Sequence, residues 1–231
     1  MTIGTRSVLF GAHCFFLHPW FVAWAWWRLY GFKPVYIGYA PSYPGTWRWR
    51  LGFRGGPTFA RLLDPRLWLA FFAHDLGYVG KPNMDGPEGE LHPYFGARLM
   101  SRLCDPGFPQ RLGDIEHFGC WGRMTLYHSR YLAKKCGSKK VSPLCLADKL
   151  AIVLTPWWLY LPMVNLSGEI HEYLKHAQRS ESDHWRPTGY DRRVWYAQLQ
   201  RYMRQWVEEH RDGRPDTWTS ANRHAATEER S

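Results

Sequence analysis

The sequence predicts a mainly α-helical protein with a single domain. Apolar runs repeatedly follow pairs that start helices, such as Asp64-Pro65 and Ser142-Pro143. Hydrophobic residues make up 45% of the chain and charged residues 22%, which is typical of a globular protein. A length of 231 residues suits one domain with appendages. We expect a helical domain over 1–211, made of a core at 10–165 and a helical extension at 166–211, and a polar, flexible tail at 212–231.

The first apolar run extends from Val8 to Trp27 and contains twenty residues without a fixed charge. Such a length is enough to cross a bilayer. However, Pro19 and two histidines interrupt the run, and Trp and Phe outnumber Leu. We therefore favour a buried core helix over 20–30 that begins after Pro19 and ends at Gly31.

The segment 33–57 changes in character, because glycine and proline recur among Tyr and Trp residues. This composition predicts a loop or a short hairpin inserted between helices. Within it, residues Trp47 to Leu51 alternate between aromatic or aliphatic and basic side chains, as a half-exposed strand does.

The remaining helices follow from start and stop signals. Asp64 and Pro65 begin an apolar helix that leads into His74-Asp75 and stops by Gly77 and Gly80. Further helices are predicted from His92-Pro93 through Met100, over 114–135, from Ser142-Pro143 onwards, and over 192–211, while Pro156 and Pro162 are expected to break the apolar stretch 150–166.

Four features carry possible chemistry. His74-Asp75 ends a nearly wholly apolar helix, so we expect its carboxylate and imidazole to be partly buried. Buried polar groups of this kind need a partner, and a bound cation would supply one. The alternative is a solvated helix terminus. Asp148 has apolar flanks but could instead pair with Lys149 at the surface. His92 could be a ligand or a helix cap. His117 and His128 are eleven residues apart, and this spacing would place both on one face of a continuous helix.

Together with His18, these features follow the chain order His … His-Asp … His … His … Asp, and in this they resemble the HD-domain superfamily of metal-dependent phosphohydrolases over roughly residues 10 to 165. The matching pieces are His18-Pro19-Trp20, His74-Asp75-Leu76-Gly77, His92-Pro93-Tyr94-Phe95-Gly96-Ala97, Tyr127-His128-Ser129 and Leu146-Ala147-Asp148-Lys149-Leu150. The resemblance implies an HD-domain-like helical bundle in which His18, His74, Asp75 and Asp148 bind one metal ion. His92 and His128 would add a second ion.

The chain departs from the family pattern in two places. The gap between His18 and His74 is long because the segment 33–57 intervenes, so His13 competes with His18 as first ligand. The Gly-Tyr-Pro signature of cyclic-di-GMP phosphodiesterases is absent, since Asp191 follows Gly189-Tyr190. This absence argues against that substrate.

The resemblance further implies hydrolysis of a phosphoester or phosphoanhydride through metal-activated water. Asp75 would bridge two ions, and Glu88 or Glu90 could shuttle a proton. The cofactor would be one or two ions of Fe, Mn, Zn or Ni. Basic residues near the ligands could hold further phosphates, although solvated helix ends explain them equally well; they are Lys81, Arg130, Lys134 and Lys135.

The net charge of +10 favours anionic partners. We expect a nucleotide-like substrate, keep nucleic acid as a possible partner and do not expect a membrane as a partner. Five scattered cysteines without a CxxC pair fit a reducing cytoplasm. Two other functions stay open: a diiron oxygenase on the same scaffold, and a non-enzymatic module that binds nucleic acid or a membrane surface through the alternating residues of 47–50.

Overall fold

A computed structural model describes residues 1–39, 57–105, 118–138, 140–179 and 191–219. Within these ranges the chain forms ten α-helices and one small two-stranded sheet, which confirms a mainly α fold. The helices are α1 (Ile3–Phe10), α2 (His18–Tyr30), α3 (Pro65–Ala73), α4 (Pro93–Cys104), α5 (Cys120–Leu126), α6 (Arg130–Lys135), α7 (Pro143–Leu154), α8 (Trp157–Ser167), α9 (Glu169–Arg179) and α10 (Arg192–His210).

Three predicted helix starts are confirmed. The Asp64 carboxylate accepts a hydrogen bond from the backbone N–H of Arg66 at the start of α3. Ser142 caps α7 in the same way, by accepting from the N–H of Cys145 at 3.2 Å. A proline occupies the first position of each of these helices and of α4, where its missing N–H and fixed φ cost nothing.

The ends of the predicted insertion form a short antiparallel sheet. Strand β1 (Val35–Tyr39) pairs with β2 (Pro57–Ala60), and Val35 lies opposite Ala60. The register is irregular between Tyr36 and Gly38. The strand predicted at 47–51 lies outside the described residues.

The single helix predicted over 114–135 is wrong within the described part of the chain. Helix α5 ends at Leu126, and the side chain of Ser129 accepts from the N–H of Leu132 to cap a separate helix, α6. Since His128 lies in the turn between them, the helical face inferred from its spacing to His117 does not apply; His117 itself is outside the described residues.

The prediction for the two prolines of the apolar stretch is half right. The chain bends by 105° between α7 and α8, at Thr155-Pro156, whereas Pro162 lies inside α8 without ending it. Among the described residues, no single helix is both long and apolar enough to cross a membrane. Only α7 and α8 taken together, with the bend between them, reach the required length and apolarity.

The main core lies between α2, α3, α5 and α7. Fully buried side chains from these four helices meet there, including Trp26, Phe71, Trp121 and Leu144. Helix α2 is therefore buried as predicted on one side, but three tryptophans on its other side are exposed. The core fixes the positions of the helix ends that carry the polar residues described below.

The C-terminal part packs further along the chain than predicted. Asp216 and Thr219 are buried, and the Arg130 guanidinium donates to Thr219 Oγ1 at 2.8 Å. Arg130 also lies over the Trp206 ring of α10 at 4.5 Å. Packing thus continues past residue 211 to the end of the described chain, and residues 220–231 of the predicted tail lie outside it.

Candidate metal centre

The structure brings together all six residues predicted as metal ligands, and each is buried. Five of them lie at helix ends or in the turns next to them. His18 begins α2, His74 and Asp75 follow α3, His92 precedes α4 and His128 follows α5. Asp148 lies within α7, beside the core residues Ala147 and Ala151.

The first cluster joins His18, His74, Asp75 and Asp148. His18 Nε2 lies 3.0 Å from Asp148 Oδ1 and 3.3 Å from Asp75 Oδ2. His74 Nε2 lies 2.9 Å from the same Asp75 oxygen and 3.8 Å from Asp148 Oδ1. Two imidazole nitrogens and two carboxylate oxygens therefore surround one point.

The second cluster joins His92, His128 and again Asp75. The other oxygen of Asp75, Oδ1, lies 3.5 Å from His92 Nε2 and 3.4 Å from His128 Nε2. The two imidazole nitrogens are 3.0 Å apart. Asp75 is thus shared by the clusters, with one carboxylate oxygen directed to each.

Three of the histidines are oriented by the backbone three residues earlier. Nδ1 of His74, His92 and His128 lies 2.9, 2.7 and 2.6 Å from the carbonyl oxygens of Phe71, Gly89 and Thr125. A carbonyl oxygen can only accept, so Nδ1 carries a proton in each ring. In the neutral ring Nε2 then has a free lone pair, and this lone pair points into the cluster.

Two observations indicate that a cation fits here. His74 Nε2 and Asp75 Oδ2 are buried without a hydrogen-bond partner, although they lie 2.9 Å apart. Such unpaired buried atoms are costly unless something binds them. In addition, His92 Nε2 and His128 Nε2 lie 3.0 Å apart, close enough for both nitrogens to bind one ion at about 2.1 Å each.

Electrostatics keep the carboxylates ionised. Burial alone would raise the pKa of Asp75, but His74 and His13 hold it well below its usual value of 3.8. Burial acts on the pKa of Asp148 in the same direction, and there Lys149 and His18 lower it. Both side chains therefore offer negative charge to a cation at neutral pH.

His92 and His128 differ from His74 in protonation state. Burial lowers the pKa of His92 to about 4 and also lowers that of His128, so both are neutral, as ligands must be. Burial would lower the pKa of His74 too, but the carboxylates of Asp75 and Asp148 raise it to about 10. The proton on His74 thus balances negative charge of the two carboxylates, and a bound cation would do the same.

Two neighbours that the sequence did not single out as functional, Lys149 and Tyr78, support the ligands. Lys149 Nζ donates to Asp148 Oδ2 at 2.7 Å, which leaves Oδ1 for the cluster. The Tyr78 ring stacks on His92, with ring centroids 3.7 Å apart and planes at 14°. His13, the alternative first ligand, belongs to neither cluster; it bonds to Ser7 Oγ through Nδ1 at 2.9 Å and packs against Tyr78. The stretch around Leu76-Gly77-Tyr78 follows the His-Asp pair directly, and this position was the available signal for Tyr78.

The two predicted proton shuttles lie before His92. Glu90 is buried, and its charge contributes to the raised pKa of Tyr78, after burial and the charges of Asp75 and Asp85. Glu88 accepts a hydrogen bond from Asn83 Nδ2 at 2.5 Å near the surface. Glu90 therefore acts electrostatically on Tyr78, the ring that stacks on His92.

The predicted phosphate contacts lie in different surroundings. Arg130 and Lys134 are tied to the C-terminal segment, since Arg130 bonds to Thr219 and Lys134 Nζ donates to the Asp216 carbonyl at 2.7 Å. Lys135 lies over the Tyr131 ring. Lys81 follows the turn after the His-Asp pair, where its carbonyl accepts from the N–H of Gly4. We assign Arg130 and Lys134 to the packing of that segment.

A narrow cleft with a free volume of about 10 Å³, enough for about one water molecule, adjoins the first cluster. Its polar residues include His13, His18, His74 and Asp75, and its walls are apolar and largely aromatic. The apolar walls come from Val8, Phe15, Pro19, Phe71, Phe72 and Leu76.

Comparison with known proteins gives no family assignment. No family model, curated protein or solved structure matches the chain. The helical fold and the buried His/Asp clusters are compatible with an HD-like fold, and the resemblance rests on the residues themselves.

Proposed function

We propose that the protein is a metal-dependent phosphohydrolase that cleaves a phosphoester or phosphoanhydride. The observation that carries this proposal is the position of Asp75, whose two oxygens face two separate groups of histidine nitrogens. A shared carboxylate between two ligand groups is the arrangement that holds a pair of ions side by side. Pairs of ions are common in enzymes that transfer or hydrolyse phosphoryl groups.

The ligand chemistry favours a transition metal. Four imidazoles and two carboxylates suit Fe, Mn, Zn or Ni better than Ca or Mg, which prefer oxygen ligands. Ions bound by these residues would supply a nucleophile from water at neutral pH and would neutralise charge on phosphoryl oxygens.

The chain's own residues prepare the site in three ways. Backbone carbonyls fix the tautomers of His74, His92 and His128, so no proton has to leave Nε2 of the two neutral rings before an ion binds. Lys149 neutralises the outer oxygen of Asp148 and thereby holds that carboxylate in one orientation. The apolar walls of the cleft restrict water near the ligands, which strengthens electrostatic interactions with an anionic group.

The charge of the protein supports an anionic substrate, because a net charge of +10 raises the local concentration of phosphorylated molecules. A nucleotide-like compound fits this charge.

The test is phosphate release from a panel of nucleotides and simple phosphomonoesters by protein loaded with Mn²⁺, Fe²⁺, Ni²⁺ or Zn²⁺. We expect activity in the native protein, none in His74→Ala, and full activity in the matched control His171→Ala, which changes an exposed histidine of α9. No release from any substrate with any of these metals would contradict the proposal. Oxygen uptake by the iron-loaded protein without phosphate release would favour the oxygenase instead.

A further inference from the structure

The outer side of α2 carries three tryptophans that contact water. Trp20, Trp24 and Trp27 are 57%, 44% and 47% exposed. Their spacings of four and three residues place them on one side of the helix, opposite the buried Val22 and Trp26. A helix whose outer side faces only water usually carries polar residues on that side. The three exposed tryptophans therefore indicate that this side binds a partner.

The exposed apolar surface continues into the turn before α2 and the end of α1. The N–H of Phe15 donates to the carbonyl of Val8 at 2.8 Å, and this bond holds the turn against α1. Four further large side chains are exposed here. Together with the three tryptophans they form what we call the aromatic face: Leu9, Phe10, Phe16, Leu17, Trp20, Trp24 and Trp27. Seven exposed large apolar side chains within residues 9–27 mark an interaction site.

The charged residues nearest to the aromatic face along the chain are all positive. No fixed charge lies between Val8 and Trp27, and the nearest charged residues along the chain are Arg6 on one side and the exposed Arg28 and Lys33 on the other. The first 63 residues hold seven Arg and Lys residues and no Asp or Glu. This portion of the chain therefore supplies most of the net charge of +10.

An apolar centre with a cationic border is complementary to the surface of an anionic bilayer. Trp and Phe side chains favour the interface between headgroups and acyl chains, and each nearby Lys or Arg gains from the negative surface potential. Other partners fit less well. A nucleic acid would bring phosphates over the centre of the face, where no cation lies. A second copy would bring two cationic borders together.

We propose that the aromatic face docks on the surface of an anionic phospholipid bilayer. The tryptophan rings enter the headgroup region, while Arg28 and Lys33 contact anionic headgroups. The protein lies on the surface and does not span it, since α2 is buried on its opposite side by the protein's own core.

The face lies next to the cleft that adjoins the first ligand cluster. Trp20 contacts Phe72 with ring centroids 6.2 Å apart, and Phe16 contacts Phe15 at 5.6 Å. Phe15 and Phe72 both line the cleft. Docking would thus bring the cleft to the bilayer surface and favour a phosphate ester with an apolar tail as substrate. This substrate class rests on the proposed function, whereas the docking itself does not.

The test is flotation of the full chain with vesicles of phosphatidylcholine that contain about one quarter phosphatidylserine, compared with vesicles of phosphatidylcholine alone. We expect binding to the anionic vesicles that weakens with added salt. The double variant Trp24→Ser/Trp27→Ser should bind about tenfold or more weakly, because two large apolar side chains are lost. The matched control Trp158→Ser changes a tryptophan of α8 that is 62% exposed and should bind as the native protein does. Circular dichroism verifies that both variants fold.

Three results would overturn the proposal: no binding of the native protein to anionic vesicles, an equal loss of binding in the Trp158 control, or a stable dimer in vesicle-free buffer that the double variant dissociates. Tight binding of an oligonucleotide that the double variant abolishes would assign the face to nucleic acid instead. Because flotation needs no catalysis, an inactive protein that still binds vesicles would count against the proposed function alone.

Discussion

His92 and His128 direct their Nε2 atoms at each other across 3.0 Å, although both rings use Nδ1 to donate to a backbone carbonyl. Two lone pairs at this distance repel unless a positive charge lies between them. Since burial lowers the pKa of both rings, a proton is a poor candidate for that charge at neutral pH. A metal ion bound by His92, His128 and Asp75 would resolve this repulsion.

The two clusters should lose their ions separately. We expect His128→Ala to retain the ion held by His18, His74 and Asp148 and to lose the other, which leaves about half the native metal content. The converse variant His18→Ala should lose the ion of the first cluster. Elemental analysis of purified protein checks both. Full metal content in both variants would mean that neither cluster depends on its histidines.

Tyr78 should act on metal binding through His92. Replacement by Ala removes the ring that stacks on His92 at 3.7 Å and should weaken binding of the second ion by about 10- to 100-fold, as changes behind metal ligands do. Tyr78→Phe keeps the ring and serves as the control, with affinity close to native. Titration of metal-depleted protein measures both, and equal affinities in the Ala and Phe variants would refute a positioning role.

The turn after the His-Asp pair leaves no room for a side chain at Gly77. A Cβ there would lie 1.9 Å from the carbonyl oxygen of His92, so Gly77→Ala should force the two ligand segments apart. We expect destabilisation of about 1–3 kcal/mol or more in chemical unfolding, together with weaker metal binding. Gly31→Ala is the control for backbone effects, because a Cβ at Gly31 meets no atom within 4 Å and only its positive φ is strained. Native stability in Gly77→Ala would contradict this packing.

Sequence patterns predicted much of this arrangement but not its details. The starts of α3, α4 and α7 were predictable, since Asp, Ser and Pro act on the first helical turn next to them. The ligands came from short motifs around His74, His92 and Asp148. The break at 127–129 was missed because the serine that caps α6 is also compatible with a helix interior.

Contacts between distant parts of the chain were beyond sequence reasoning. Arg130 pairs with Thr219, which is 89 positions away in the chain. From the sequence alone, a basic residue near His128 was equally compatible with a contact to phosphate. The exposure of Trp20, Trp24 and Trp27 was equally hidden, because an apolar helix does not reveal which of its sides the fold covers.

Glu169 should make stability fall as pH rises. It is fully buried, and burial raises the pKa of its carboxyl above the usual 4.5. The unfolded chain therefore releases this proton first, so the contribution of Glu169 to stability is greatest below pH 4.5 and is lost as the pH rises from there through the folded pKa. In thermal unfolding, the Tm of Glu169→Gln minus the Tm of the native protein should increase as the pH rises through this range. The increase should be about 2–4 °C for each kcal/mol of unfolding free energy that the native protein loses. The exposed Glu208→Gln is the control, and a difference independent of pH would refute this assignment.

The most direct test of a shared metal centre is the metal content of Asp75→Asn beside that of the native protein and of Asp212→Asn, which changes an exposed aspartate. The amide keeps the shape of the carboxylate but removes the charge that serves both clusters. We predict about two transition-metal ions per chain in the native protein and in Asp212→Asn, and loss of both ions in folded Asp75→Asn. Native metal content in Asp75→Asn, or no metal in the native protein after reloading, would contradict a centre built around Asp75.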